Sequence, residues 1–231
     1  MTPEEFHQFI LTHGIIGFFD EPLTLKSGRQ SHFYVNWRSA CADAFLLDQL
    51  TDAIAAFLQQ TGWSFDCLYG VPEGATKPAV IAGLKLARQR PDWQPGQTII
   101  PMGRAKPKEH GNPADRFFIG APSGRVVVLE DTITTGLSLI QTLDQLLDQN
   151  IQVIGALSLT DRMEKRDDGL SVAAAIEQRY QGRIAYRTMS QATDLLAAAI
   201  DRQNATPELR QAITEEFERY GTQPLILSDQ S

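Results

Sequence analysis

Residues 126–136 read VVVLEDTITTG, and no other stretch of the chain narrows its fold as much. Successive strand side chains point to opposite faces of a sheet, so an unbroken run of three valines and a leucine must be buried on both faces. Such a strand belongs to the interior of a parallel sheet covered by helices. It runs into two adjacent acids, Glu130 and Asp131, then through Thr132, Ile133, Thr134 and Thr135, and closes on Gly136 where a helical pattern begins. Backbone N–H groups of such a strand-to-helix bend, with the dipole of the following helix, suit a phosphate, and three threonine hydroxyls add donors. Two carboxylates would repel a phosphate that they met directly, so they suit sugar hydroxyls, with hydrated magnesium nearby. An ordinary buried strand before a helix capped by Thr134 or Thr135 explains the valines. It does not explain acids and hydroxyls gathered at one end, which match the two parts of a ribose phosphate.

Around this motif, short apolar strands alternate with helices. The pattern predicts strands at 66–70, 98–101, 125–130, 151–160 and 183–188, and helices near 43–60, 77–90, 137–149, 171–181 and 190–202. That alternation defines an α/β fold with an open, mainly parallel sheet and helices on both faces. Ahead of it, Thr2-Pro3-Glu4-Glu5 supplies a cap hydroxyl, a first-turn proline and a capping-box acid for a helix over 2–13. The segment LTLKSGRQSHFYVNWR follows, with a turn at Ser27-Gly28 and a strand around Phe33-Tyr34-Val35. We therefore expect an N-terminal helix and small β hood over 1–40, an α/β core over 41–202, and a C-terminal helix (206–220) and tail within 203–231. Residues 102–124 are polar, rich in Gly and Pro, and too long for an ordinary connection, which predicts a functional loop or hairpin, mobile over 102–120.

With 42% hydrophobic residues in 231, the chain can bury a sizeable core. Its formal charge of -7 argues against a general nucleic-acid binder, so any phosphate site must be local. Cys41 and Cys67 have no metal-ligand spacing and make a poor disulfide framework, which fits reduced thiols. The N-terminus lacks a basic signal region and no stretch approaches a membrane span. A cytoplasmic protein with neither nucleic-acid nor membrane partners is expected.

The whole string VVVLEDTITTG is similar to the 5-phosphoribosyl 1-pyrophosphate (PRPP) signature of type I phosphoribosyltransferases. Three further segments resemble orotate phosphoribosyltransferase, in that family's order, so the likeness spans about residues 15–190. TLKSGRQSHFYVN at 24–36 looks like the hood motif, GRAKPKEHG at 103–111 like the catalytic loop, and LTDRMEKR at 159–166 like the segment carrying the orotate-binding arginine. The resemblance implies transfer of the 5-phosphoribosyl group from PRPP to orotate, giving orotidine 5'-monophosphate and diphosphate, with Mg2+ held by PRPP and water and not by direct side-chain ligation.

Residue roles follow from the same resemblance. It gives catalytic roles to Lys26, Arg104, Lys108, His110 and Asp131. Glu130 and Asp131 would hold the ribose hydroxyls and Thr132, Ile133, Thr134, Thr135 and Gly136 the 5-phosphate, with Lys77 serving the diphosphate loop GVPEGATKPA at 70–79. Lys26, the backbone of Tyr34 and Val35, Thr134 and Arg162 would receive orotate. Arg104, Lys108 and His110 would close over the diphosphate in a neighbouring subunit, which implies a homodimer sharing loop 102–120. The chain departs from the family at Ala105, where a second basic residue is usual, and at Glu73 and Gly74, where the bacterial pattern has an aromatic and a lysine. Two other readings stay open: a phosphoribosyltransferase for another base, and a non-catalytic PRPP-sensing regulator.

Overall fold

The valine-rich strand lies in the interior of the main sheet. In the computed structural model, which describes residues 1–104, 106–110 and 116–227, it is β6, Arg125–Ile133. It pairs in parallel with β3 (Cys67–Gly70) on one side and with β7 (Gln152–Asp161) on the other, and β7 pairs in parallel with β8 (Ala185–Thr188). The sheet order is β3-β6-β7-β8. Alternation along β6 divides the core. Val127 and Leu129 join Leu68, Leu157 and Leu159 in one hydrophobic layer, while Val126 and Val128 join Cys67, Tyr69 and Ala156 in the other. The first layer is closed by residues of α3 (Ala44–Gln60), α4 (Thr76–Arg88), α7 (Ala192–Arg202) and α8 (Pro207–Tyr220). The second is closed by α5 (Leu137–Asp148) and α6 (Val172–Tyr180). Both faces of the sheet are therefore dry, as an uninterrupted apolar strand requires.

Helix α1 (Pro3–Thr12) begins as its sequence dictates: the Thr2 hydroxyl accepts from the Glu5 N–H at 3.2 Å, and the Glu5 carboxylate accepts from the Thr2 N–H at 2.8 Å. The hood is an antiparallel hairpin of β1 (Ile16–Thr24) and β2 (Gln30–Val35), with the register shifting between Phe18 and Leu23. Short helix α2 (Trp37–Ala42) follows.

Two expectations need correction. Residues 98–101 do not form a strand; Ile99 is exposed and Pro101 has no N–H to give a sheet. The strand there is the two-residue β4 (Met102–Gly103), paired antiparallel with β5 (Phe118–Ile119), so the region between 102 and 120 is framed by a hairpin stem. The β6 strand also continues three residues past Glu130, since Glu130, Thr132 and Ile133 keep register with Ser158, Thr160 and Asp161. Its acids thus sit within the strand and not after it. Among the described residues, no helix is long and apolar enough to cross a membrane.

Candidate active site

The carboxyl ends of β3, β6 and β7 point to the same edge of the sheet, where open α/β sheets bind ligands. Beyond Ile133 the chain bends through Thr134 and Thr135 to Gly136, whose φ of +70° starts α5. A Cβ there would lie 2.8 Å from Val172 Cγ1, so glycine is required both by conformation and by space. The Arg166 guanidinium donates to the Thr135 carbonyl at 2.8 Å and holds the bend from outside. A small cavity in this bend is lined by Thr132–Leu139, Glu130 and Lys26. Lys26 comes from the hood turn, where Leu25 and Arg29 pair and Gly28 takes φ +83°, and its ammonium donates to Ser138 Oγ at 3.0 Å. Thr132 Oγ1 is buried with no hydrogen-bond partner among the described residues. An unsatisfied buried hydroxyl is costly unless a ligand completes it.

This cradle adjoins a second cleft of about 180 Å³. The hood contributes Lys26, Tyr34 and Val35, and α2 contributes Arg38; the loop after β3 contributes Pro72, Glu73 and Gly74; β6 and its bend contribute Glu130, Asp131, Thr132 and Thr134. A Cβ on Gly74 would overlap the Asp131 carboxylate, so this loop backbone lies directly against the acid. Glu130 is 6% exposed, and burial, then the neighbouring Asp131, pushes its pKa up to about 9. Among the described residues there is no group of three or more His, Cys, Asp or Glu able to hold a metal. One or two cleft carboxylates suit a magnesium ion that keeps most of its ligands as water and substrate oxygens.

The raised Glu130 value carries a stability consequence. In the unfolded chain this carboxyl ionises near its ordinary value of 4.5, whereas the folded protein resists ionisation up to about 9. Folding is therefore penalised increasingly as pH climbs through that window, and the penalty is absent below it. Glu130→Gln keeps an acceptor for the Asp131 N–H, now at 3.2 Å from Glu130 Oε1, and removes the ionisable proton. We expect this variant to be more stable than the parent by on the order of 2 kcal/mol at pH 8 and equal to it at pH 4.5. Thermal melts at the two pH values check this; an equal difference at both would show that ionisation plays no part.

The remaining sequence candidates divide. Arg162 borders the cleft, but its side chain is only 2% exposed. Its Nε donates to Glu164 at 2.7 Å, Nη1 to the Phe33 carbonyl at 3.1 Å, and Nη2 to Ser31 Oγ at 2.8 Å and Glu216 at 3.1 Å. The guanidinium also lies 3.7 Å from the centroid of the Phe33 ring. Lys77 lies in the first turn of α4 with its ammonium 3.4 Å from the Cys41 carbonyl, and it does not line the cleft. Arg104, Lys108 and His110 do not line it either. The backbone N–H groups of Arg104 and Lys108 donate to Phe117 and Arg116 carbonyls, extending the hairpin stem, and Lys108 and His110 are exposed. Gly103 in that stem packs on Tyr69 Oη and Pro72, so the stem stands beside the loop after β3. Ala105 lies outside the described residues, as do 111–115 of the expected loop. Sequence reasoning missed Arg38, Arg166 and Glu216; Arg38 lies two residues beyond the hood motif and Arg166 ends the segment 159–166, whereas Glu216 stood near no segment already singled out.

The same overall fold occurs in known proteins. A crystal structure of orotate phosphoribosyltransferase from Francisella tularensis superposes with TM-score 0.69 at 20% identity, covering 94% of this chain and all of that one. The chain has the type I phosphoribosyltransferase fold. Another example of the fold, orotate phosphoribosyltransferase from Mycobacterium tuberculosis H37Rv in complex with PRPP, has TM-score 0.54 at 22% identity, covering 84% of this chain and 98% of that chain. In sequence, the chain is 28% identical over 208 residues to orotate phosphoribosyltransferase of Aeromonas salmonicida, covering 89% of this chain and 90% of that relative. No family model matches. The cleft described above thus sits where a phosphoribosyltransferase fold presents the carboxyl ends of its strands.

Proposed function

We propose that the protein is an orotate phosphoribosyltransferase, which transfers the 5-phosphoribosyl group of PRPP to orotate in UMP synthesis. One observation carries the reading: a single cleft brings Lys26, Tyr34 and Val35 of the hood to the acids and threonines of β6, where a buried Thr132 hydroxyl lacks a partner among the described residues. In this reading the 5-phosphate sits in the bend from Thr132 to Gly136. Glu130 and Asp131 face the ribose hydroxyls. Lys26 spans base and diphosphate, while Tyr34 and Val35 offer backbone groups to the pyrimidine and Thr134 reaches it from the other side.

The pyrimidine N1 forms a bond to the anomeric carbon as the bond from that carbon to the diphosphate oxygen breaks, with inversion through an oxocarbenium-like transition state, and the N1 proton leaves with the diphosphate. Positioning and charge stabilisation then do most of the catalysis. Bound Mg2+ would supply a positive charge to the leaving diphosphate. Arg104, Lys108 and His110 act from the hairpin over the diphosphate of a neighbouring subunit, exclude water and oppose hydrolysis. The working form is accordingly a cytoplasmic homodimer sharing loop 102–120. Hood, core and C-terminal helix divide the labour as base binding, PRPP binding and support.

An absorbance assay with orotate, PRPP and Mg2+ tests this, run beside a panel of other bases with diphosphate release measured in parallel. Orotate loss matched by diphosphate release is the expected result. Release with another base only would reassign the substrate, and PRPP binding without any release would make the protein a sensor.

A further inference from the structure

We infer that Arg38, on α2, is a further cation that meets the diphosphate of PRPP, from the cleft wall; the inference rests on the phosphoribosyltransferase reading. The loop after β3 brings a carboxylate, Glu73, to the cleft wall, and a second, Asp131, lies against Gly74. Negative charge beside a diphosphate is repulsive and has to be offset. The loop's own lysine does not offset it, because Lys77 is turned toward the Cys41 carbonyl and does not line the cleft.

Among the described residues, three cationic side chains line the cleft. Lys26 is bonded to Ser138 on the cradle side, and the Arg162 charge is buried between Glu164 and Glu216. Arg38 is exposed and has no hydrogen-bonding or ionic partner among the described residues. It can therefore engage an anion without first giving up another contact. Arg38 also lines the second cleft but not the cradle of the 5-phosphate, which leaves it to the diphosphate end of PRPP. A planar guanidinium can bond two phosphate oxygens at once, a geometry an ammonium cannot copy.

The test uses the full chain and three proteins: the parent, Arg38→Ala and Arg38→Lys. Calorimetric titration with inorganic diphosphate and Mg2+ is combined with steady-state kinetics. Arg38→Ala should weaken diphosphate binding and raise the KM for PRPP by ~10-fold or more, Arg38→Lys should fall between, and the KM for orotate at saturating PRPP should stay within about twofold. Melting temperatures should agree within about 2 °C, since an exposed side chain without partners has little packing to lose. A rise in the orotate KM with diphosphate affinity unchanged would hand Arg38 to the base and overturn the inference. Parental binding of diphosphate that Arg38→Ala leaves intact overturns the inference alone. A parent that binds neither PRPP nor diphosphate overturns the inference together with the reading beneath it.

Discussion

Lys108→Ala is expected to lower turnover by about 10²–10³-fold, the range seen when a single donor to transition-state charge is removed, while leaving the fold intact. Lys108 is exposed, its backbone N–H bonds the Arg116 carbonyl at 2.8 Å, and alanine keeps that bond. Nothing in the described structure depends on its ammonium, so stability should change by no more than ~0.5 kcal/mol. Assays of orotate loss paired with thermal melts separate the two effects; parallel loss of rate and stability would make Lys108 structural. The proposed sharing of the loop gives a stricter test. Lys108→Ala carries a damaged loop and an intact cleft, whereas Asp131→Asn carries the reverse. In a dimer whose loops cross over, the mixed species has one site with both parts intact, so mixing the two inactive proteins should restore about a quarter of parental activity. No recovery after subunit exchange would confine each loop to its own cleft.

The two site regions differ in how openly the sequence displayed them. The cradle was legible because it is local: a two-sided apolar run, twin acids, hydroxyls and a glycine are consecutive, and Gly136 takes the positive φ that such a bend requires. The strand-helix alternation was legible for the same reason, since period and turn residues act over a few positions. Strand β1 was not resolved from its surroundings because Asp20, Glu21 and Pro22 interrupt its pattern where the register shifts. Helix α2 has only six residues, too few for a 3.6-residue period to show. The segment 98–101 carried β-branched residues into a proline, and propensity alone could not reveal that the strand there pairs with β5. The surroundings of Arg162 were hidden for another reason. Its partners Ser31 and Glu216 lie 131 and 54 residues away, so a motif that located the arginine could not report that its charge was already spent.

That spent charge governs what Arg162→Ala should do. Truncating it leaves Glu216, 8% exposed, without its cation and strips one partner from Glu164. Breaking a buried ion pair from one side typically costs 3–5 kcal/mol. Glu164 retains Arg29 at 3.0 Å and Glu216 retains the His32 N–H at 3.0 Å, so the lower end, about 3 kcal/mol, is expected. Burial already raises the Glu216 pKa in spite of Arg162, which pulls it down. Removing Arg162 should raise it further. A carboxyl with a raised folded-state pKa destabilises increasingly as pH rises above its unfolded value and ceases to do so once protonated in both states. The stability gap between parent and Arg162→Ala should therefore be widest near pH 8 and narrow toward pH 4.5; a gap constant with pH would assign the loss to packing against Phe33. A double variant, Arg162→Ala with Glu216→Gln, should recover ~1–3 kcal/mol relative to the sum of the single effects, as expected of directly contacting charges. Because a weakened hood would also weaken orotate binding, inactivity of Arg162→Ala by itself cannot report carboxylate recognition. If the double variant is restored in stability and still cannot discriminate orotate from uracil, the one Arg162 N–H left unengaged by its neighbours is what reads the base.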